Sequence, residues 1–406
     1  MSQTIATRSI PRTVWALGFV SLFMDLSSEM VHSLLPMYLV GSLGVSMITL
    51  GLIEGIAEAT ALIVKVFSGA ISDYFGRRKG LLLLGYGLAA LTKPLFPLAH
   101  SAEMVFTARF LDRIGKGIRG APRDALVADV SPPEIRGACF GLRQSMDTIG
   151  AFLGPAVAIG LMYAFSENIP LVLWIAVIPA LVAVSLIFVG VDESEHEPSA
   201  QRFRSPIRPQ LLYSFSPAYW WVVIIGALFT LARFSEAFLV LRAQQAGLSA
   251  TWVPIVMVVM ALFYTLSAYP VGKVSDRVSR TSLLGVWLIL LILSDLVLAS
   301  AESVSMLILG VALWGLHMGF SQGLLAALVA DTTPAELKGT AFGIFNLVSG
   351  VSMLLASGIA GLLWQTYGSA MTFYAGAIFS AVALILLIAQ RSKSTRCLHD
   401  HGPRKN

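Results

Sequence analysis

An all-α polytopic membrane protein built from two six-helix bundles is predicted by three observations. Apolar residues make up 56% of the 406 and charged residues 13%, at a mean hydropathy of +0.78, whereas soluble domains carry roughly 25% charged residues. Apolar runs recur at 81–99, 171–191, 251–271, 283–300 and 373–390, each near the ~20 residues that cross the hydrocarbon layer. Finally, the chain repeats itself. Ala125-Leu126-Val127-Ala128-Asp129, Glu134, Arg136-Gly137 and Phe140-Gly141 return as Ala327-Leu328-Val329-Ala330-Asp331, Glu336, Lys338-Gly339 and Phe342-Gly343, always at an offset of 202. A half-length repeat in so apolar a chain predicts two membrane-embedded halves about a shared pathway.

Hydropathy places twelve helices at about 14–40, 48–71, 79–99, 102–127, 138–163, 169–190, 218–243, 251–272, 281–300, 304–330, 339–364 and 369–390. The expected domains are 1–191, a first six-helix bundle; 192–217, a linker; 218–390, a second bundle; and 391–406, a tail. The first apolar run continues through Asp25 and Glu29 with no small-residue cleavage site, so it reads as a retained helix rather than a signal peptide. Arg77, Arg78 and Lys79 follow helix 2, Arg202, Arg204 and Arg208 lie in the linker, Lys273, Arg277 and Arg280 follow helix 8, and Arg391, Lys393, Arg396, Arg404 and Lys405 end the chain. The alternate loops near 41–47, 164–168, 300–303 and 365–368 contain no Lys or Arg. The positive-inside rule therefore puts both termini and the linker in the cytoplasm. This bias accounts for the net charge of +5, which is then no argument for nucleic acid. Cys139 and Cys397 fall on the cytoplasmic side, where a structural disulfide is not expected. Gly115-Lys116 lacks the upstream glycine and following hydroxyl of a phosphate-binding loop, which argues against transport driven by the chain's own ATP hydrolysis.

After helix 2 the chain reads Gly69-Ala70-Ile71-Ser72-Asp73-Tyr74-Phe75-Gly76-Arg77-Arg78-Lys79, and the second half has Gly272-Lys273-Val274-Ser275-Asp276-Arg277, then Arg280. Gly69 permits close helix approach and Gly76 a tight turn, with the arginines expected at the lipid headgroups. The pattern resembles the G-x-x-x-D-x-x-G-R-[RK] signature of the major facilitator superfamily, and the likeness extends over nearly the whole chain. The resemblance implies alternating access, with Gly69, Asp73, Gly76, Arg77, Arg78, Asp276 and Arg277 as a cytoplasmic gate. Helix 5 carries Gly150-Ala151-Phe152-Leu153-Gly154-Pro155 and then Gly160. Glycines four apart let helices pack backbone to backbone, and the run is similar to the G-x-x-x-G-P motif of drug and metabolite antiporters. Ser352, Ala356 and Ser357 stand at the matching positions of the second half. Gly150, Gly154 and Pro155 therefore suggest export; a close-packed crossing without bearing on direction is the plainer alternative.

Charges inside the apolar helices are the most unusual feature. Asp25, Glu29 and His32 share one face of helix 1; Glu54, Glu58 and Lys65 form a stripe on helix 2. Helix 4 has Arg109, Asp112, Arg113, Lys116, Arg119 and Arg123, helix 7 has Arg233 and Glu236, and helix 10 has His317. A charge at the bilayer centre costs at least ~2.5–3.5 kcal/mol, so these residues must face a cavity or one another. In the resembled superfamily helices 1, 4, 7 and 10 line the central cavity. Ser28-Glu29 and Ser235-Glu236 place an acid at matching points of the two halves, and Glu29 and Glu236 are the expected coupling or substrate acids. Asp25, His32, Asp112 and His317 complete the proton-coupling or substrate cavity, with Arg113 and Arg233 tuning it. The competing reading is structural ion pairing, for which Arg109–Asp112, Asp112–Lys116 and Arg233–Glu236 have suitable spacing. Trp314 and Phe234 read as helix–helix filler. The tail residues Cys397, His399 and His401 have metal-ligand types, yet the tail reads as a disordered basic end and no metal site is expected.

These observations predict a secondary active transporter of a small solute: proton-coupled efflux of a drug or metabolite by antiport, in the inner (plasma) membrane. Arg109, Arg113 and Arg233 keep open a second reading, proton-coupled uptake of an anionic or zwitterionic metabolite; a non-transporting membrane sensor is a third. The expected partners are a small-molecule substrate, protons and the lipid bilayer, without nucleic acid, the chain acting as a monomer. With no nucleophile–base set or metal cluster, neither enzymatic activity nor a cofactor is expected.

Overall fold

A computed structural model describes residues 9–75, 77–192, 209–275, 278–321, 324–334 and 337–400. Among them the regular structure is helical. The helices are α1 (Arg12–Met37), α2 (Met47–Phe75), α3 (Arg78–Thr92), α4 (Ala102–Val130), α5 (Arg136–Ala164), α6 (Ile169–Ile175) and α7 (Val177–Gly190), followed by α8 (Pro217–Ala232), α9 (Ala237–Gln245), α10 (Ile255–Ser275), α11 (Arg280–Ala299), α12 (Val304–Ser321), α13 (Leu324–Asp331), α14 (Lys338–Tyr367) and α15 (Ser369–Asp400). Joined across their breaks, these give the twelve expected stretches. Nine spans among the described residues are long and apolar enough to cross a membrane. The expected Gly76, Asp276, Arg277 and Glu336, and linker residues 193–208, lie outside the described residues. The last helix runs on to Asp400, past the expected end at 390.

The chain forms two compact units. The first holds residues up to Val45, Ile56–Pro206 and Ser249–Val258; the second holds Ser46–Gly55, Ile207–Leu248 and the chain from Val259. Glu167 shows how residues 249–258 join the first unit: its Oε1 accepts from the Thr251 amide at 3.0 Å and hydroxyl at 2.7 Å.

In the first unit α1 packs on α5 and α7, and α3 on α4 and α7, closing a core that includes Leu17, Met24, Leu82, Tyr86, Leu126 and Ile187. Lipid tails are as apolar as these side chains, so helix association rests on close packing and polar contacts. Gly85 of α3 and Gly115 of α4 provide the first: a Cβ on Gly115 would lie 2.6 Å from the Gly85 carbonyl oxygen. In the second unit α11 packs on α12 and α15, and α8 on α14 and α15.

The repeated Ala-Leu-Val-Ala-Asp segment has a physical role. Arg78 Nε meets Asp129 Oδ2 at 2.6 Å, and its Nη1 lies 3.5 Å from Asp73 Oδ1. At the same offset of 202, Arg280 pairs with Asp331. The expectation that Arg78 stays at the headgroups is corrected: its side chain is 8% exposed, because Asp129 at the end of α4 draws it inward. The Arg280–Asp331 side chains are 39% and 56% exposed, so the copies differ in energy. Removing one partner of a buried pair costs about 3–5 kcal/mol, against about 0–1 kcal/mol for an exposed pair. Arg78→Ala is thus expected to lower the midpoint of thermal unfolding in detergent far more than Arg280→Ala; equal shifts would refute this reading.

Candidate functional site

Apart from Glu54, which belongs to the second unit, the charges predicted on α1, α2 and α4 converge in the first unit, joined by three groups not expected from sequence: Lys93, Arg143 and Asp147. Lys93 opens the short 3₁₀ turn Lys93–Leu95 after α3. Its Nζ donates to Asp112 Oδ1 at 3.0 Å and to Ser28 Oγ at 3.1 Å, with both charged side chains buried. The anticipated Arg109–Asp112 and Asp112–Lys116 pairs are thereby corrected: the partner of Asp112 comes from the neighbouring helix. Glu58 of α2 holds Arg113 Nη2 at 3.0 Å and Arg109 Nη2 at 3.8 Å. Asp147 of α5 lies 3.5 Å from Arg123 Nη1 and 3.7 Å from Arg143 Nη1, and Asp25 of α1 faces it. Arg119 stacks over the Tyr86 ring, 4.6 Å from its centroid.

Two predicted residues are less firmly held. Glu29 Oε2 meets only the same-helix His32 Nδ1, at 3.4 Å, among its ion-pair contacts in the described residues, and Glu29 is 22% exposed. Lys116 is exposed and has no carboxylate within ion-pair distance among the described residues. It lies within electrostatic range of Asp25, Glu29, Glu58 and Asp147. The Asp112–Lys116 spacing that the structural ion-pair reading offered is not used: Asp112 pairs with Lys93.

The glycine run of α5 explains how these groups are brought together. A Cβ on Gly154 would stand 2.8 Å from Glu29 Cβ and 2.9 Å from the Leu26 carbonyl oxygen, and Gly150 abuts the Leu22 backbone. The α1–α5 crossing that presents Glu29 and Asp25 therefore depends on hydrogen side chains at 150 and 154. Gly160, by contrast, has nothing within 4 Å of an added Cβ.

In the second unit the expected seventh helix is interrupted. The end of α8 at Ala232 and the start of α9 at Ala237 leave Arg233–Glu236 outside the helix. Serines take over the backbone bonds there: the Ser235 amide donates to Ser357 Oγ at 3.2 Å, the Ala237 amide to Ser235 Oγ at 3.2 Å, and Ser235 Oγ to Glu54 Oε2 at 3.2 Å. Arg233 Nη2 reaches Glu236 Oε1 at 3.5 Å, the spacing expected from sequence. Phe234 packs among Phe238, Trp314 and Phe373. His317 is fully buried between Trp287 and Trp314. Asp295 of α11, also fully buried, was overlooked. It is the lone acid in an apolar run, the signal that exposed the others.

Two units of packed apolar helices with charges gathered inside them define a polytopic membrane transporter. The sequence profile of the Major Facilitator Superfamily matches residues 17–262 and 237–400. The MFS-type transporter MJ1317 of Methanocaldococcus jannaschii is 34% identical over 94% of this chain and 95% of its own. Quinolone resistance protein NorA of Staphylococcus aureus is 25% identical over 54% of each chain. Among solved structures, the nucleoside transporter NupG superposes with a TM-score of 0.79 at 13% identity, over 93% of this chain and 99% of that one. The chain belongs to the major facilitator superfamily, whose members carry small solutes across membranes.

Overpacking a tight crossing costs about 1–3 kcal/mol. Gly154→Val is expected to lower thermal stability by that order and to displace Glu29, while Gly160→Val leaves the unfolding midpoint within error of the parent. Equal effects of the two substitutions, followed by tryptophan fluorescence on heating, would rule out the close-crossing role of Gly154.

Proposed function

We propose that the protein is a proton-coupled antiporter that exports a small anionic or zwitterionic metabolite across the plasma membrane, with both termini in the cytoplasm. The observation that carries the solute class is Lys116: an exposed cation without a carboxylate partner among the described residues, in a cluster where Glu29 meets only His32 and the other acids are held by Lys93 and the arginines. An acidic group of the solute would meet Lys116, and an amine, where present, would meet Glu29 or Glu58. Within that reading Glu29 takes the coupling proton, because only His32 competes for it, and Glu236 is its counterpart in the second unit. Moving a cation toward or away from such an acid changes its proton affinity, which is how alternating access would bind a proton on one side and release it on the other.

Export rests on the Gly150–Gly154–Pro155 run and on the similarity to the quinolone resistance protein. That relative favours a second reading, efflux of a cationic drug, in which Glu29, Glu58 and Glu236 would hold the cargo.

Both readings are tested by reconstituting the protein in liposomes that enclose a pH-sensitive dye and applying anionic, zwitterionic and cationic solutes in turn. Proton flux triggered by acidic solutes and abolished by Glu29→Gln is expected. Flux with cationic drugs alone would transfer the assignment to the second reading. Solute counterflow without proton movement would overturn proton coupling.

A further inference from the structure

We propose that Asp295 is a proton-binding site that controls the break between α8 and α9. Its side chain is 0% exposed, and neither carboxylate oxygen has a hydrogen-bond partner among the described residues. A buried ionised carboxylate without a partner is so costly that such a group neutralises instead. The surroundings say with what. A Cβ on Gly376 of α15 would lie 2.6 Å from Asp295 Oδ2 and 3.2 Å from the Ala232 carbonyl oxygen. The carboxyl group and that carbonyl thus meet over the same bare backbone. Ala232 is the last residue of α8, so its carbonyl is one of those left without an i+4 amide, at the negative end of the helix dipole. An acceptor at a negative helix end calls for a donor, and a carboxylic acid O–H supplies it.

Among the described residues, no cation or titratable group of the packed helices forms an ion pair or hydrogen bond with Asp295. Arg233, at the end of α8, reaches Glu236. Arg242 of α9 donates to the carbonyls of Leu298 at 3.1 Å and Ala301 at 2.7 Å, capping the end of α11. His317 of α12 lies against the Trp287 and Trp314 rings. On α15 the ionisable group within 369–389 is Tyr374, which is 39% exposed. A hard metal cation takes six or more oxygens, whereas Asp295 and Ala232 supply three here. The occupant is therefore a proton.

Removing it would set a bare carboxylate against the carbonyl end of α8, two negative poles with no cation between them. The end of α8 would then have to withdraw or admit water, carrying Arg233, Ser235 and Glu236 with it. Proton occupancy of Asp295 thereby sets the geometry of residues 233–236. This holds whatever the solute, and whether or not Glu29 couples its transport.

Two measurements on the purified full-length protein, without solute, test it. Infrared difference spectra at neutral pH should show the carbonyl stretch of a protonated carboxylic acid, reduced by one group per chain in Asp295→Asn. Hydrogen exchange of the peptide containing 233–236, corrected for intrinsic rates, should accelerate with rising pH in the parent and stay flat in Asp295→Asn. Should the asparagine variant fail to fold, Asp295→Glu should shift the same infrared band. A band unchanged in every variant, or exchange with the same pH dependence in parent and variant, would overturn the proposal. Loss of the band on adding sodium at constant ionic strength would overturn it too, by making the occupant a metal ion.

Discussion

A charge placed among apolar helices must be met by another group, because the lipid beyond them offers it nothing. That constraint organises the first unit. Lys93 neutralises Asp112, Arg113 and Arg109 converge on Glu58, and Arg123 and Arg143 flank Asp147. All of these pairs but Arg143–Asp147, which lies within α5, join different segments, so polar matching supplies the cohesion that apolar side chains cannot give against lipid. Lys116 has no carboxylate partner among the described residues, and Glu29 meets only His32 of its own helix. A structural ion pair has its partner already, whereas a group that is to exchange protons or bind solute needs one that comes and goes.

The internal repeat shows which features the fold requires and which a single half has kept. Arg78–Asp129 and Arg280–Asp331 recur at one offset, so the turn after the second and eighth expected helices is tied to the end of the fourth and tenth in each unit. The tight crossing of α5 on α1 has no such copy, since Ser352 and Ala356 replace Gly150 and Gly154. Nor is the intramembrane charge symmetric. The first unit concentrates compensated pairs, while the second has an interrupted helix, an aromatic cluster around Phe234, and two buried titratable groups, Asp295 and His317, with unpartnered atoms. Compensated ion pairs and unpartnered buried groups are accordingly divided between unlike halves among the described residues.

Much of this was legible in the sequence. Hydropathy and the offset of 202 gave the helical stretches and the two-fold plan, because both depend on residue type alone. Spacing along one helix correctly paired Arg233 with Glu236. It failed for Asp112, whose partner Lys93 comes from a different helix, and for Arg78, drawn inward by Asp129 from across α4. The break at 233–236 left no trace, since no glycine or proline marks it; the hydroxyls of Ser357, from α14, and of Ser235 itself satisfy the backbone there. Asp147 and Asp295 were legible as lone acids in apolar runs, and only their neighbours, Arg123 and Arg143 in one case and the end of α8 in the other, reveal what they do.

The account turns on an exposed lysine left unmatched among matched charges, and ligand-induced stabilisation of the purified protein probes it most directly. A ligand at ~100 times its Kd stabilises the native state by about 2.7 kcal/mol, readily seen as a raised unfolding temperature. Acidic or zwitterionic solutes are predicted to stabilise the parent and to lose that effect in Lys116→Gln, while cationic solutes stabilise neither. Undiminished stabilisation of Lys116→Gln by acidic solutes, or equal stabilisation of both proteins by cationic ones, would contradict it.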